Sequence, residues 1–351
     1  MKYWNVKLKS MDEYLPGEQP ASIDEFIKLN ANENPFPPFD SVLKEITGNV
    51  NAGLRRYPDS RAMTVRKIFA EQNEIKPENV FVGNGSDEIF TLIFRGFIET
   101  TGIAAFPCPS YSLYDTLAQG NGIKYEKINL DAGLKLDLNR FLEKKYSMVI
   151  ISNPNNPTGT FWDKEQIEGF IKKYDGLLVV DEAYIDFYGG SSIDLIKKFD
   201  NIIITRSFSK SYSLAGLRVG LAAACEDIIR GLFKLKDSYN EDTLALVGAA
   251  AALLDMKSFN YNLAMLRSNK EYFEEMLNSM GFESAPSRAN FIFTRHRDIP
   301  SEILFKKLKE QKILVRYFSD PILSDYVRIS IGTMMEIKQV CAVIKSILEE
   351  V

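Results

Sequence analysis

The chain has 351 residues, of which 45% are hydrophobic and 26% charged, as in a globular protein of about two domains. Its net charge of −4 and pI of about 5.4 argue against a nucleic-acid-binding surface, which is usually basic. No apolar run reaches the ~18 residues of a membrane span, and the first residues lack a signal-peptide pattern, so we expect a cytoplasmic protein that binds neither nucleic acid nor membrane.

Cysteine and histidine are sparse, which excludes several kinds of site. Cys108, Cys225 and Cys341 are far apart, and their spacing fits neither zinc binding nor a disulfide framework. The single histidine, His296, lies in a polar stretch. We therefore expect reduced thiols, no metal, and acid–base chemistry carried by Lys, Asp, Glu or Tyr rather than by a Ser-His-Asp triad.

The first 30 residues predict an arm with one short helix, and Pro35, Pro37 and Pro38 then indicate an extended loop. From about residue 40 to 230, short apolar runs alternate with helical patterns such as those at 87–98 and 164–174. This alternation predicts an α/β fold with a mostly parallel sheet, buried on both faces. The predicted strands are 80–82, 102–106, 123–126, 148–151, 177–180, 202–204 and 220–223.

From about residue 235 the pattern changes to long helices followed by a small α+β unit. The predicted elements are helices at 242–254 and 259–280, a strand at 290–293, a helix near 301–311, strands at 313–316 and 327–331, and a last helix at 335–350. We therefore predict an N-terminal arm (1–30), a large domain (31–234) and a small C-terminal domain (235–351). Ligands of such sheets bind beyond the carboxyl ends of the strands.

Residues 83–88 (GNGSDE) follow a predicted strand and open a predicted helix. Glycines allow the backbone to approach an anion, and a helix N-terminus offers free N–H groups and a positive dipole end. The segment predicts phosphate binding, with a plain helix cap by Ser86 or Asp87 as the alternative. It is not a dinucleotide-binding fingerprint, because Glu88 stands where the third glycine is needed.

Residues 152–159 (SNPNNPTG) follow the predicted strand that ends at Ile151. The two Asn-Pro pairs favour extended asparagines and place amide side chains at the end of the strand. An ordinary turn is the alternative, because this composition also suits a turn. A turn needs only one proline and one glycine, so the doubled pattern favours a functional loop.

Residues 177–184 (LLVVDEAY) place Asp181 at the end of a buried strand. Such an acid can be a nucleotide-hydrolase metal ligand, but that interpretation requires an upstream G-x-x-x-x-G-K-[ST] loop, which the sequence lacks. It can also cap a helix, or it can face a pyridinium nitrogen. A carboxylate about 4 Å from that proton favours the charged ring by roughly 4 kcal/mol at an effective dielectric constant near 20.

Residues 206–210 (RSFSK) follow a β-type run, and Arg218 comes eight residues after Lys210. Lysine can form a Schiff base with a carbonyl group. The serine hydroxyls and the guanidinium can hold a phosphate. Together these residues predict a site for an aldehyde that carries a phosphate.

Taken together, these segments resemble the fold type I pyridoxal-phosphate enzymes, the aspartate aminotransferase superfamily, over nearly the whole chain. Finer details are similar to the histidinol-phosphate aminotransferases, in segments 29–35, 56–59, 153–159, 181–184, 209–210, 214–220, 289–291 and 328–333. The resemblance implies a large domain with a mostly parallel sheet, a smaller α+β domain, pyridoxal 5'-phosphate as cofactor, and a homodimer with shared active sites.

The resemblance also implies roles for residues around the cofactor. Lys210 would hold it as a Schiff base and later shuttle a proton, and Asp181 would pair with the pyridine nitrogen. Tyr184 and Asn156 would hydrogen-bond its 3-hydroxyl oxygen. The expected phosphate ligands are Ser207, Arg218 and the helix start at Gly85, Ser86 and Asp87.

Other matching residues would complete the site. Tyr111 would stack on the cofactor ring, with an ordinary core tyrosine as the alternative. Tyr57 would reach across the dimer interface to the phosphate of the neighbouring subunit. Arg328 would hold the substrate carboxylate with help from Arg316, and Asn32 is also expected to bind substrate.

The implied activity is a ping-pong transfer of an amino group from histidinol phosphate to 2-oxoglutarate, giving imidazole acetol phosphate and glutamate in histidine biosynthesis. Threonine-phosphate decarboxylase and an aromatic amino acid aminotransferase are the alternatives, because they share the cofactor motifs. The missing phosphate loop and third glycine disfavour a nucleotide-dependent hydrolase or dehydrogenase. A cofactor-binding sensor is disfavoured because the sequence has no basic DNA-binding segment.

Overall fold

The computed structural model describes residues 3–9, 11 and 17–350. Its helices are α1 (Val6–Lys9), α2 (Asp40–Asn49), α3 (Met63–Gln72), α4 (Gly85–Gly96), α5 (Leu113–Asn121), α6 (Lys164–Ile171), α7 (Glu226–Leu235), α8 (Thr243–Leu254), α9 (Met256–Ser279), α10 (Ser301–Glu310) and α11 (Met334–Glu349). Its strands are β1 (Ile27–Lys28), β2 (Val80–Asn84), β3 (Ile103–Cys108), β4 (Lys124–Asn129), β5 (Met148–Ser152), β6 (Leu177–Asp181), β7 (Ile202–Ser207), β8 (Val219–Ala224), β9 (Phe282–Ser284), β10 (Phe291–His296), β11 (Ile313–Leu314), β12 (Arg316–Tyr317) and β13 (Val327–Ser330).

The central sheet has seven strands in the order β2-β8-β7-β6-β5-β3-β4. The run from β4 to β7 is parallel, whereas β8 is antiparallel to both β7 and β2. Successive side chains of a strand enter opposite faces. Leu178 and Val180 accordingly pack in one hydrophobic cluster and Val179 in another. Burial on both faces explains the continuous apolar runs, and the prediction of a mostly parallel sheet is confirmed.

The register of the sheet aligns the ends of three neighbouring strands. Ser152 of β5 pairs with Asp181 of β6, which pairs with Thr205 of β7. The loops that follow these strands therefore leave the sheet side by side. This edge brings together segments that are far apart in the sequence.

The C-terminal part forms a four-stranded sheet in the order β12-β13-β10-β9, with antiparallel pairing throughout. The single strand predicted at 313–316 is wrong. Its first half, β11, pairs with β1 from the arm, while β12 pairs with β13. The arm supplies the partner that divides the strand, because the backbone of Ile27 and Leu29 donates to the carbonyl oxygens of Lys312 and Leu314.

Within the described residues, no helix combines the length and apolar character needed to cross a membrane. The same part of the chain contains no group of three His, Cys, Asp or Glu side chains arranged to hold a metal ion.

Candidate active site

A cavity of about 390 Å³ lies at the carboxyl edge of the central sheet, where the loops after β5, β6 and β7 meet the arm and the small sheet. Twelve of the fourteen predicted site residues line it: Asn32, Ser86, Asp87, Tyr111, Asn156, Asp181, Tyr184, Ser207, Lys210, Arg218, Arg316 and Arg328. Gly85 lies directly beside it at the start of α4.

Lys210 lies in the loop after β7, and its side chain enters this cavity. Its Nζ donates a hydrogen bond of 3.0 Å to the carbonyl oxygen of Ala31 and lies 6.0 Å from the ring centre of Tyr184. Burial, reinforced by the positive charge of Arg328, lowers the pKa of Lys210 to about 8. A neutral amine is the form that attacks a carbonyl carbon, so this environment suits a nucleophilic lysine.

Arg218 lies opposite the N-terminus of α4. Its Nη2 contacts Asp87 Oδ2 at 3.1 Å, and its Nη1 donates to Ser209 Oγ at 3.5 Å. The backbone here is tightly packed, because a Cβ on Gly220 would lie 2.4 Å from the amide nitrogen of Ser86. A guanidinium, a serine hydroxyl and a helix N-terminus converge at this end of the cavity, which gives it the donors that a phosphate requires.

Asp181 ends β6 and is 4% exposed. Its Oδ2 accepts a hydrogen bond of 2.7 Å from the Tyr114 hydroxyl. Its Oδ1 accepts from the Ala183 amide at 3.2 Å and from Thr205 Oγ1 at 3.3 Å. Burial raises the pKa of Asp181 to about 6, although these hydrogen bonds oppose the increase.

The described side chains offer Asp181 no ion pair within 4 Å, although it lines the cavity. A buried carboxylate of this kind is stabilised by a cation in the adjacent cavity. The protonated nitrogen of a pyridine ring is such a cation. The carboxylate, the reactive amine and the phosphate site therefore fit pyridoxal 5'-phosphate.

Tyr184 and Asn156 connect the central sheet to the arm and to the small sheet. Asn32 Nδ2 donates to the Tyr184 hydroxyl at 3.0 Å, and Ser330 Oγ donates to Asn32 Oδ1 at 3.2 Å. Arg328 donates to Asn156 Oδ1 at 2.5 Å and to the Asn30 carbonyl oxygen at 2.9 Å. The cavity therefore has a second cationic region, which is built from different segments than the Arg218 region.

Tyr57 is the predicted site residue that lies away from the cavity of its own chain. Its side chain is 78% exposed, and its ring stacks on Tyr239 with 4.2 Å between ring centres. This position is outside the cavity and at the molecular surface.

Sequence reasoning missed Tyr114, which contacts Asp181 directly. It also missed the backbone oxygens of Asn30 and Ala31, whereas Ser209, which contacts Arg218, is one of the two serines of the 206–210 segment considered for phosphate binding. Tyr114 lies in the first turn of α5 and had no signal of its own in the sequence. Its partner is 67 residues away, so the contact itself has no local signature.

Comparison with known proteins shows the family to which the chain belongs. Residues 24–344 match the family model "Aminotransferase class I and II". The chain is 39% identical to the histidinol-phosphate aminotransferase of Geotalea daltonii over 333 residues, 95% of each chain. It is also 39% identical to that of Pseudomonas entomophila over 337 residues, 95% of this chain and 96% of the relative.

The solved structure of histidinol-phosphate aminotransferase from Sinorhizobium meliloti, in complex with pyridoxal-5'-phosphate, superposes with a TM-score of 0.90 at 22% identity, covering 100% of this chain and 98% of that one. This likeness confirms the predicted fold type I architecture. The family match and the close relatives confirm the predicted superfamily and cofactor. The chain belongs to the class I and II aminotransferases and is a pyridoxal-phosphate-dependent enzyme.

Proposed function

We propose that this enzyme transfers the amino group of histidinol phosphate to 2-oxoglutarate. The observation that carries the proposal is the presence of two separate cationic regions in one cavity. Arg218 contacts Asp87 and Ser209, whereas Arg328 contacts Asn30 and Asn156. One region suits the cofactor phosphate, and the other is left for an anionic group of the substrate. The names of the relatives at 39% identity support the same substrate.

The residues present can hold pyridoxal phosphate in a defined orientation. Ser207, Arg218 and the amides at the start of α4 would bind its phosphate. Asp181 would face the ring nitrogen, Tyr184 and Asn156 the 3-hydroxyl oxygen, and Tyr111 one face of the ring. When bound, this cofactor supplies an electron-poor ring that stabilises a carbanion at the substrate carbon.

Lys210 is the group placed to move the proton. Because the pKa of Lys210 is lowered to about 8, a larger fraction of its amine is neutral near pH 7 than in an ordinary lysine. Its Nζ would take the proton from Cα of the amine substrate. A positioned general base of this kind typically accelerates proton transfer by about 10²–10⁴-fold.

Arg328 would recognise both substrates in turn. Histidinol phosphate offers a phosphate and no α-carboxylate, whereas glutamate offers carboxylates. A guanidinium binds either group through paired N–H donors. Arg316 lines the same region and would assist, and Asn32 would help to orient the substrate.

A homodimer with shared active sites is the assembly we propose. An apolar groove of about 760 Å³ lies between α2, α3 and α8, lined by Ala62, Val65, Leu246, Val247, Ala250 and Leu254. Several large hydrophobic side chains are exposed in this region. Leu254 lines the groove itself, and the segment between α2 and α3 adds Val50, Leu54 and Tyr57. A second copy covering this face would bury those side chains and would bring Tyr57 to the partner's phosphate region.

We also propose that the large domain ends near residue 234 and that the arm and the C-terminal part move together, which the β1–β11 pairing supports. The reaction would take place in the cytoplasm, where the thiols of Cys108, Cys225 and Cys341 stay reduced.

The test is an assay of the purified holoenzyme with three amine substrates in parallel. With histidinol phosphate and 2-oxoglutarate, we expect glutamate and a keto product. Carbon dioxide release from threonine phosphate would instead establish the decarboxylase. Faster transfer from phenylalanine or tyrosine than from histidinol phosphate would establish an aromatic aminotransferase.

A further inference from the structure

Tyr114 is fully buried on α5 and makes the shortest hydrogen bond to the carboxylate of Asp181. The Tyr114 hydroxyl donates to Oδ2 at 2.7 Å. The bonds to Oδ1, from Ala183 and Thr205, are 3.2 and 3.3 Å long. A short bond to a charged acceptor is stronger than a long one. The phenol is therefore the principal donor to the carboxylate.

Aromatic packing fixes the direction of this hydroxyl. The Tyr114 ring lies 5.2 Å from the ring of Phe90 on α4 and 5.8 Å from that of Phe106 on β3. It also meets Tyr111 edge-on, with 5.6 Å between ring centres and an interplanar angle of 82°. The phenol thus contacts both the carboxylate at the ring-nitrogen end of the site and the tyrosine expected to stack on the ring.

The Tyr114 hydroxyl counteracts the burial and the negative charge that favour the protonated form of Asp181. The titratable side chains that act on it are Tyr114 from α5 and Asp87 from α4, and the adjacent strands contribute Ser152 and Thr205, which do not titrate. Asp87 is negative and favours protonation of Asp181. Burial and the nearby carboxylate hold the pKa of Tyr114 well above its usual value, so the phenol keeps its proton and remains a donor.

We propose that Tyr114 is a positioning residue whose hydroxyl keeps the Asp181 carboxylate ionised and aimed at the pyridine nitrogen. The inference rests on the proposed role of Asp181 opposite the ring nitrogen. An ionised Asp181 leaves the proton on the ring, where it makes the ring a better electron acceptor. Without the phenolic donor, the carboxyl group would bind that proton more readily.

The test compares Tyr114→Phe with Tyr125→Phe in the full-length protein. Tyr125 is a matched control, because its ring also packs against Phe106, at 5.4 Å, while its hydroxyl contacts Gln119 instead of the site. The pKa of Asp181 is measured by ¹³C NMR of aspartate-labelled protein without cofactor, with Asp181→Asn used to assign the signal. We expect Tyr114→Phe to raise this pKa by roughly one pH unit or more, as loss of a hydrogen bond to a charged group implies, and Tyr125→Phe to leave it unchanged.

The holoenzyme gives a second readout. For Tyr114→Phe we expect kcat to fall roughly tenfold, with KM nearly unchanged, and the ¹⁵N signal of the ring nitrogen in labelled pyridoxal phosphate to move toward that of a neutral pyridine, because the shared proton shifts to the carboxyl group. A purely structural defect would lower kcat without moving that signal. An unchanged Asp181 pKa, an equal change in Tyr125→Phe, or an unmoved ring-nitrogen signal would each overturn the inference.

If Tyr114→Phe does not fold, 3-fluorotyrosine at position 114 keeps the shape and hydroxyl but strengthens the donor. The pKa of Asp181 should then fall, and an unchanged value would overturn the inference. The two experiments distinguish failure of the proposed function from failure of the proposed role of Tyr114. Absence of transferase activity in the wild-type enzyme would refute the function, yet the NMR titration would still report on Tyr114 and Asp181.

Discussion

The backbone of Gly85 passes so close to Arg218 that a Cβ on residue 85 would lie 2.5 Å from the guanidinium Nη2. Gly85 also has φ of +74°, a conformation that side chains disfavour. The start of α4 and the arginine can therefore approach one another only because residue 85 has no side chain. This contact makes the proposed phosphate end of the cavity compact.

Gly85→Ala should weaken cofactor binding, because the new methyl group displaces Arg218. We expect the dissociation constant of pyridoxal phosphate to rise at least roughly tenfold, since a strained backbone and a lost ionic contact each cost ~1–3 kcal/mol. Equilibrium titration followed by absorbance measures this change. Gly169→Ala on α6 is the control, because a Cβ there meets nothing within 4 Å. Equal affinity of both variants would contradict the role of Gly85.

Lys210 should react with pyridoxal phosphate at a pH well below that of an ordinary lysine. Its pKa is lowered to about 8 from 10.5, so the reactive neutral amine is half formed near pH 8. In stopped-flow absorbance of cofactor-free protein, the rate of attachment should rise with pH and level off above about 8. A rate that continues to increase to pH 10 would show that the cavity does not depress the pKa. Lys210→Arg should show no attachment.

Lys210 should also make the free energy of unfolding of the cofactor-free protein increase with pH. Its folded-state pKa of about 8 lies below the ordinary value of 10.5, so the unfolded chain binds more protons between these values. The destabilising contribution of Lys210 is thus fully present below pH 8 and disappears as the pH rises toward 10.5. Urea unfolding of cofactor-free Lys210→Met should show a smaller gain of stability over this window than the wild type. If the free energy of unfolding changed equally with pH in both proteins, the lowered pKa of Lys210 would be contradicted.

Arg206 should be a major stabilising residue behind the loop that carries Lys210. It is buried against Asp186 and lies 3.6 Å from Glu182 Oε2, and Asp186 Oδ2 accepts a hydrogen bond of 2.6 Å from Ser211, next to Lys210. Arg206→Met leaves the buried Glu182 and the mostly buried Asp186 without their cation, so we expect a loss of about 3–5 kcal/mol in the free energy of unfolding.

The matched control for Arg206 is Arg230→Met, which removes an ion pair with Asp227 whose side chains are 70% and 78% exposed. It should cost less than about 1 kcal/mol. Chemical denaturation of both variants checks the difference, and similar losses would refute a special role for the buried cluster.

Arg328→Ala should impair both half-reactions, because we propose that one guanidinium binds the phosphate of one substrate and the carboxylate of the other. Single-turnover measurements with each substrate should show at least roughly tenfold losses, consistent with removal of a charged hydrogen bond. Damage confined to one half-reaction would refute dual recognition. Arg295→Ala is the control, because Arg295 pairs with Glu283 away from the cavity.

Tyr57 should act across the proposed dimer. Lys210→Ala and Tyr57→Ala are each expected to be poorly active alone. Random mixing of the two after reversible dissociation should recover up to about a quarter of wild-type activity, because half of the dimers are mixed and each has one intact site. No recovery in mixtures whose subunit exchange is verified by mass spectrometry would exclude shared sites.

Much of the fold was predictable from the sequence because its signals are local. The seven strands of the central sheet are apolar runs, and each observed strand overlaps a predicted one. The division of the predicted 313–316 strand was not predictable, because it depends on pairing with Ile27 and Lys28 almost the whole chain length away. Two-residue strands such as β1 also carry no periodicity of their own.

For the site, the sequence alone determined which chemical groups are present: an amine, a strand-end carboxylate, a glycine-containing helix start and several arginines. Their motifs are short contiguous segments with characteristic residues, so they can be recognised without coordinates. Only the tertiary structure decided how these groups act on one another, including the lowered pKa of Lys210, the Tyr114–Asp181 hydrogen bond and the contact of Arg328 with the arm. Burial and distance between remote segments set these interactions, and neither quantity is encoded at any single position.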